Sequence, residues 1–141
     1  ENDLIASCLQ AEDIREITFE FRSPVSFRFF DKDYPWPLPA YVFASIADKW
    51  SQNQMPVELN REEIREEAGS LFPMEWEGRS RRVFFAANRG VLGFEGRFTY
   101  DLQALPVERR QLYLMLAQYA VFSGVGRMTA QGMGQTRIIY R

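Results

Sequence analysis

Hydrophobic and polar residues alternate along three stretches of the chain, a pattern typical of half-buried β-strands. In the strand predicted at residues 14–22, Ile17, Phe19 and Phe21 fall on one face, and the alternate polar or charged residues 18, 20 and 22 fall on the other. Residues 80–87 and 90–102 show the same alternation and flank an Ala-Asn-Arg-Gly sequence, which predicts a β-hairpin. A last strand is predicted for residues 136–140. The residues predicted to line the sheet are Ile17, Phe19, Phe21, Val83, Phe85, Leu92, Phe94 and Ile138.

Two other segments repeat their apolar residues every three to four positions, which indicates amphipathic helices. One is residues 40–50, whose apolar stripe includes Ile46 and Trp50. The other begins at Pro106 and ends near Phe122. Its predicted stripe is Leu112, Met115, Leu116, Tyr119 and Phe122. A short helical start is also expected at residues 3–9.

A shorter and heavily charged helix is predicted for residues 60–69. Asn60 is a suitable N-cap, Glu63 completes a capping box, and Gly69 is a common helix terminator. The glutamates of this helix could suggest a metal site. We interpret them instead as a solvated face interleaved with Arg61 and Arg65.

Between the first strand and the first helix, residues 23–39 are rich in proline and aromatic residues. Ser23-Pro24 is expected to end the first strand, and the later prolines enforce an extended path. The aromatic side chains could stack on nucleotide bases, but we favour a place at the edge of the core. These residues are Phe27, Phe29, Tyr34 and Trp36.

The predicted elements follow the order strand, helix, strand, strand, helix, strand, which is the ferredoxin-like βαββαβ arrangement. We therefore expect an α+β fold with a four-stranded antiparallel sheet and two helices on one face. The chain has 141 residues and no recognisable linker, so it is interpreted as a single domain, residues 1–141.

A glycine-rich segment separates the last predicted helix from the last strand. Gly124, Gly126, Gly132 and Gly134 fall within eleven residues, with Arg127 among them. Glycine allows the backbone to approach a ligand closely, so the amide groups of this run are candidates for binding an anion. The order helix, loop, strand excludes a P-loop and a dinucleotide fingerprint, which both run from strand to loop to helix.

Charge is distributed unevenly along the chain, although the formal net charge is only −2. Residues 1–78 carry 7 basic and 16 acidic side chains, a balance of −9. Residues 79–141 carry 10 basic and 3 acidic side chains, a balance of +7. This asymmetry, together with a preference for arginine over lysine, indicates a surface for a polyanion. The alternative is an arginine-rich composition with ordinary surface ion pairs.

Two features of the sequence concern the cellular compartment of the protein. No apolar run approaches the length of a membrane-spanning helix. The single cysteine, Cys8, cannot form an internal disulfide, which fits a reducing compartment. Both features predict a cytoplasmic protein that does not contact a membrane.

Three segments resemble the C-terminal half of the CRISPR-associated "Cas six" endoribonucleases, members of the repeat-associated mysterious protein (RAMP) superfamily. They are ITFEFRSPVSFR (Ile17 to Arg28), GVLGFEGRFTYDL (Gly90 to Leu102) and LAQYAVFSGVGRMTAQGMGQTRI (Leu116 to Ile138). The shared features, in order, are a Ser-Pro-x-Ser-Phe-Arg turn, a Gly-Phe-x-Gly strand and a loop with two Gly-x-Gly pairs. Enzymes of this family cut precursor CRISPR RNA within each repeat.

The resemblance implies a protein of two ferredoxin-like domains, of which this chain is the second. The expected partners are CRISPR repeat RNA and the N-terminal ferredoxin-like domain of the same protein, with other Cas proteins as further candidates. In the family the glycine-rich loop contacts RNA and the basic surface around it grips the repeat. The predicted RNA-binding residues are Gly124, Gly126, Arg127, Gly132, Gly134, Arg137, Arg81, Arg82 and Arg28.

Catalysis in this family, as the resemblance implies it, needs no metal and no cofactor. Acid–base groups activate a ribose 2′-hydroxyl, which attacks the adjacent phosphate and leaves a 2′,3′-cyclic end. The acid–base residue is usually a histidine of the N-terminal domain, and this chain contains no histidine. The catalytic residue is therefore unassigned: either the other half of the protein supplies it or the protein is an inactive member.

Two other functions fit the same residues. The chain could belong to a non-catalytic RAMP-type subunit that holds a guide RNA and packs against protein neighbours. It could also be a ferredoxin-like ligand-binding domain whose glycines only turn the chain, although the positive balance of residues 79–141 would then have no ligand.

Overall fold

The structure, a computed structural model, describes residues 14–85 and 89–140. The helix predicted at residues 3–9 and the first two residues of the predicted hairpin turn, Ala87 and Asn88, lie outside these ranges. The elements in chain order are β1 (Glu16–Val25), β2 (Phe27–Phe29), β3 (Lys32–Tyr34), α1 (Pro39–Gln52), α2 (Arg61–Ala68), β4 (Phe72–Phe85), β5 (Arg89–Asp101), α3 (Val107–Ser123), a 3₁₀ turn (Thr129–Gln131) and β6 (Thr136–Tyr140).

Four strands form one antiparallel sheet in the order β4-β5-β1-β6. Phe19 in the central strand β1 lies opposite Phe98 of β5 on one side and Ile138 of β6 on the other. This strand order, with helical connections after β1 and after β5, is the ferredoxin-like arrangement. The fold predicted from the sequence is confirmed.

The core lies between the sheet and the helices α1 and α3. Ile17, Phe19 and Phe21 of β1 are all buried on the helical side, because alternate residues of a strand share a face. Phe43 of α1 stacks on Tyr113 of α3, with ring centroids 4.8 Å apart. Each such fully buried aromatic side chain contributes about 2–3 kcal/mol to the folded state. The predicted helical core residues Ile46, Trp50, Leu116 and Tyr119 are also buried.

Two strand boundaries differ from the prediction. β1 continues through Ser23-Pro24 to Val25, because a shift of register between Phe21 and Val25 accommodates the proline. β4 begins at Phe72, eight residues before the predicted start. It is an edge strand whose side chains are largely exposed on both faces, so it lacks the alternation that would reveal a half-buried strand.

Some predicted core positions are less buried than expected. In α3 the face toward the sheet includes the small residues Ala117 and Ala120, whereas Phe122 is 82% exposed. The prediction for Phe122 was wrong because the pattern of large side chains misses a helix face built partly from alanine. Several other predicted residues are only half-buried at the margin of the core: Leu112, Met115, Val83, Phe85, Leu92 and Ile138.

The proline-rich crossover contains a small hairpin, β2–β3, that the sequence did not predict. Phe27 is buried, and Tyr34 and Trp36 pack against the core, which confirms the interpretation as core-edge aromatics. Phe29 is the exception, since it lies exposed next to Phe30 at the hairpin tip. The predicted cap of the charged helix is confirmed: Asn60 Oδ1 accepts a hydrogen bond from the Glu63 amide at 3.1 Å.

No helix within residues 14–85 and 89–140 is both long enough and apolar enough to cross a membrane.

Candidate functional site

The glycine-rich loop between α3 and β6 is bound to Ser23 and Pro24, the Ser-Pro motif near the end of β1. Ser23 Oγ donates a hydrogen bond to the Gly132 carbonyl at 2.6 Å and accepts one from the Gln135 amide at 2.9 Å. The Gly134 amide donates to the Pro24 carbonyl at 2.9 Å. Two sequence motifs that lie about a hundred residues apart therefore form one structural unit.

The tight packing of the loop explains most of its glycines. A Cβ atom on Gly134 would lie 1.9 Å from the Val125 carbonyl oxygen, and the φ angle of Gly134 is +68°. A Cβ on Gly126 would also collide with backbone, and one on Gly124 would collide with a neighbouring side chain. Gly132 differs, because a Cβ there would meet nothing within 4 Å. Gly132 is therefore the loop glycine beside open space.

The glycine amides do not form the anion cradle that the sequence suggested. All four are used within the protein: they donate to the Ala120 carbonyl, Ser45 Oγ, the Thr129 carbonyl and the Pro24 carbonyl. The reason is geometric, since the loop closes on itself and on the Ser-Pro motif instead of opening toward solvent. Any anion bound here has to be held chiefly by side chains.

Arg127, the basic residue of the loop, is fixed by a carboxylate that the sequence analysis missed. Its Nη1 lies 2.6 Å from Asp33 Oδ1, and both side chains are largely shielded from solvent. The other oxygen of Asp33 accepts a hydrogen bond from the Leu92 amide at 3.3 Å. Asp33 thus joins β3, β5 and the loop. Nothing in its local sequence indicated this role, because the partners are distant along the chain.

An open cleft of about 440 Å³ lies beside the loop, between α1, α2 and β2. Its charged lining residues are Arg28, Asp48, Lys49, Arg61, Arg65 and Arg127. Burial lowers the pKa of Lys49, and the nearby Asp48 opposes this shift. A hydrogen bond to Asp48 raises the pKa of Arg61. Arg61 and Arg65, which the sequence predicts on a solvated face, and Lys49, which is not among the predicted binding residues, thus line one cleft.

The other predicted arginines fall in two places. Arg82 lies near Arg28 on the helical side of the sheet, where both line a shallow hollow next to the β2–β3 hairpin. Arg81 and Arg137 lie on the opposite, open face of the sheet, where each is near a glutamate. The distances are 2.9 Å from Arg81 to Glu95 and 3.7 Å from Arg137 to Glu20. The structure therefore brings together Arg28, Arg82, Arg127 and the loop, and separates Arg81 and Arg137 from them.

The interpretation of the α2 glutamates as a solvated face fails for Glu67. Nε and Nη2 of Arg109 in α3 both donate hydrogen bonds to the Glu67 carboxylate, and the Tyr113 hydroxyl donates to the same carboxylate at 2.9 Å. Burial opposes the charged form of Glu67, but these hydrogen bonds outweigh it, so the pKa of Glu67 is lowered. Arg109 therefore links α3 to α2.

Comparison with known proteins identifies the family. Residues 19–136 match the family model for the CRISPR-associated endoribonuclease Cas6. The chain belongs to the Cas6 family. No curated protein sequence matches it significantly.

Solved Cas6 structures share the fold. A Cas6 (TTHA0078) product complex superimposes with a TM-score of 0.78 at 28% identity, over 89% of this chain and 51% of that one. Thermus thermophilus Cas6 (TTHB231) gives a TM-score of 0.77 at 28% identity, over 94% of this chain and 57% of that one. The chain therefore spans about half the length of these Cas6 proteins. A Cas6-RT-Cas1–Cas2 complex matches at 14% identity with a TM-score of 0.63, which shows the fold alone.

The three motifs that carry the resemblance to Cas6 are adjacent in this structure. The Ser-Pro motif holds the glycine loop, as described above. Gly93 of the Gly-Phe-x-Gly strand abuts the same motif, since a Cβ on Gly93 would lie 2.8 Å from Pro24 Cβ. The motifs thus mark one packed end of the sheet, and most of their glycines serve this packing.

Proposed function

We propose that this chain is the RNA-binding C-terminal domain of a Cas6 endoribonuclease that cleaves precursor CRISPR RNA within its repeats. The observation that carries the proposal is the family match over residues 19–136. Two of the similar solved structures are described as a product complex and a substrate mimic complex, which supports a role in RNA processing. An N-terminal ferredoxin-like domain of the same protein is the proposed other half. The proposed setting is antiviral defence in the cytoplasm.

In this proposal RNA phosphates contact the surface around the glycine loop, which carries the basic side chains of Arg28, Arg82 and Arg127. Arg28 is exposed, and its Nη1 donates a hydrogen bond to the Asp31 carbonyl. The other N–H groups of its guanidinium remain available to bind an anion. Arg82 lies beside it, and Arg127 is oriented by Asp33. Gly132 leaves room for the RNA backbone to approach the loop.

The remaining predicted residues have smaller or indirect roles. Gly124, Gly126 and Gly134 keep the shape of the loop. Arg81 and Arg137 stay in the proposed RNA-binding set, but each has to give up its contact with a glutamate before it can bind an RNA phosphate. We expect them to add less affinity than the residues beside the loop, because losing the glutamate contact offsets most of the free energy gained from the phosphate contact.

The proposed chemistry is metal-independent transesterification by the ribose 2′-hydroxyl. Histidine is the side chain whose unperturbed pKa suits proton transfer near neutral pH, and the chain has none. The acid–base group is therefore proposed to lie in the other half of the protein. One similar solved structure is a histidine-to-alanine mutant of a Cas6 protein, which is consistent with this view.

Labelled repeat RNA incubated with a metal chelator tests the proposal. The chain alone should bind the RNA without cutting it, and the full-length protein should cut once per repeat and leave a 2′,3′-cyclic phosphate. Site-specific cleavage by the chain alone, abolished by a substitution in it, would place the catalytic group in this half. Binding without cleavage by the full-length protein would favour the non-catalytic subunit.

A further inference from the structure

The cleft between α1, α2 and β2, beside the glycine loop, contains basic residues that the proposed RNA-binding set does not include. Lys49 of α1 and Arg65 of α2 line it on the helical side, together with Ser45 and Tyr41. Its volume of about 440 Å³ falls within the range of roughly 300–1,000 Å³ that is usual for ligand pockets. A nucleotide unit therefore fits the space.

Ion pairing neutralises only part of the charge in the cleft. Asp48 is the one carboxylate among the described lining residues, and it lies 2.8 Å from Arg61 Nε. Arg61 also pairs with Glu62 at 2.7 Å, and Arg127 pairs with Asp33 at 2.6 Å. These three carboxylates are therefore all engaged by an arginine of the cleft.

The other basic residues of the cleft have no such partner. Within the described residues, Lys49, Arg65 and Arg28 form no ion pair with a carboxylate. Lys49 is half-buried, and its Nζ donates to the neutral Thr129 Oγ1 at 3.3 Å. The carboxylate near Lys49 is Asp48, which already pairs with Arg61. An ammonium that has lost part of its hydration and shares its nearby carboxylate with an arginine is stabilised by a bound anion.

Two further donors favour a phosphate group as the anion that this cleft binds. Arg65 is exposed, and its guanidinium carbon lies 5.9 Å from the centre of the Tyr41 ring. Its nitrogens form a fork that matches phosphate oxygens. Ser45 Oγ accepts a hydrogen bond from the Gly126 amide at 2.8 Å, so the hydroxyl hydrogen remains free to donate.

We propose that this cleft binds a phosphodiester group of the RNA, with Lys49 and Arg65 as direct contacts and Ser45 as a third donor. The inference rests on the proposed RNA-binding function and adds a contact region on the helical side of the domain. The RNA would then extend from the loop surface, across Arg28, to α1 and α2.

The test compares two cleft variants of the chain with a matched control. Arg65→Ala and Lys49→Met each remove one positive charge, and Lys49→Met keeps the aliphatic stem in place. Arg15→Ala is the control, because Arg15 is exposed just before β1, at the end of the sheet away from the loop. Affinity for fluorescein-labelled repeat RNA is measured by anisotropy across a salt series. Each cleft variant should lose about tenfold in affinity and flatten the slope of log affinity against log salt by about 0.7–0.9.

Each alternative outcome has a defined meaning. If the cleft variants bind as Arg15→Ala does, while Arg28→Ala and Arg127→Ala bind weakly, the RNA-binding function stands and the cleft proposal is wrong. If the parent chain does not bind RNA, the proposed function itself fails, and the cleft proposal fails with it. Adenosine 5′-monophosphate is titrated in parallel. If it binds and Arg65→Ala abolishes that binding while RNA affinity is unchanged, the cleft takes a free nucleotide and the RNA assignment is overturned.

Discussion

The open face of the sheet and the cleft beside α1 both carry several basic side chains, yet their electrostatic environments differ. On the open face three glutamates, Glu20, Glu77 and Glu95, lie within 4 Å of four arginines, Arg137, Arg97, Arg79 and Arg81. In the cleft three carboxylates lie within 4 Å of only two of the five basic residues, Arg61 and Arg127. Each of the four open-face arginines thus has a carboxylate neighbour, whereas three of the five cleft cations form no ion pair within the described residues.

This difference shows that the charge balance of a sequence segment does not locate an anion-binding surface. Residues 79–141 carry the surplus of arginine, but their open-face arginines are paired with nearby glutamates. Most of the cleft cations come instead from residues 1–78, whose overall balance is negative. What matters for an anion is which cations lack a carboxylate neighbour after folding.

The largest effect is expected on protein stability, from a substitution in the glycine-rich loop that lines the cleft. Gly134→Ala should lower the free energy of unfolding by about 3 kcal/mol, because the new Cβ meets the Val125 carbonyl and the φ angle is positive. Thermal unfolding should show a fall in Tm of roughly 10 °C. Gly132→Ala is the control. It should lower the free energy of unfolding by only about 1 kcal/mol, since its Cβ enters open space. Equal losses would mean that the loop does not pack as described.

Arg109 represents a third kind of arginine, which contributes to stability and not to anion binding. Arg109→Ala should lower the free energy of unfolding by about 1–2 kcal/mol, because it breaks a two-nitrogen contact with Glu67 in a partly shielded place. Urea unfolding measures this loss. RNA affinity should stay within about twofold of the parent at a temperature where both are folded. A tenfold loss of affinity would assign Arg109 to the RNA-binding surface after all.

The same contact predicts a pH dependence. The pKa of Glu67 is lowered in the folded state, so its contribution is fully present above the pKa of the unfolded chain. The contribution is lost as pH falls through the lower folded-state value. Glu67→Gln should therefore lose less stability than the parent between neutral pH and about pH 3, as measured by urea unfolding. Identical losses in the two proteins would show that the Glu67 contact is not part of the acid sensitivity.

Removing the open-face carboxylates should make that face resemble the cleft. In the triple variant Glu20→Gln, Glu77→Gln, Glu95→Gln, RNA affinity should rise by about three- to tenfold, and its salt dependence should steepen as the released arginines reach phosphates. Anisotropy across a salt series measures both quantities. An unchanged slope would mean that RNA does not reach the open face, and Arg81 and Arg137 would leave the proposed set.

The smallest expected effect is that of a single open-face arginine. Arg81→Ala should change RNA affinity by less than about twofold at moderate salt, because in the parent Arg81 is held by Glu95. Measured beside Arg65→Ala, it gives the most direct test of the contrast between the two surfaces. If Arg81→Ala loses as much RNA affinity as Arg65→Ala, the ion pairs of the open-face arginines do not limit their binding to RNA.

The amino-acid sequence by itself determined the architecture and the family of this protein. The two-residue alternation of β1 and β5 and the helical periods of α1 and α3 lead to the ferredoxin-like order, which the structure confirms. The Asn60 cap was also readable, because its partner is three residues away. These features are local, and local spacing decides which face of a strand or helix is buried.

Only the tertiary structure decided how the candidate site is built. The Arg127–Asp33 pair joins residues 94 positions apart, and Lys49 reaches Thr129 across 80 positions. The amides of the loop glycines find acceptors on Pro24 of β1, on Ser45 of α1, on Ala120 of α3 and within the loop itself, so their availability could not be read from the run of glycines. Ion pairs and hydrogen bonds depend on distances of a few ångströms between atoms. Those distances are set by how the elements pack, which sequence periodicity does not specify.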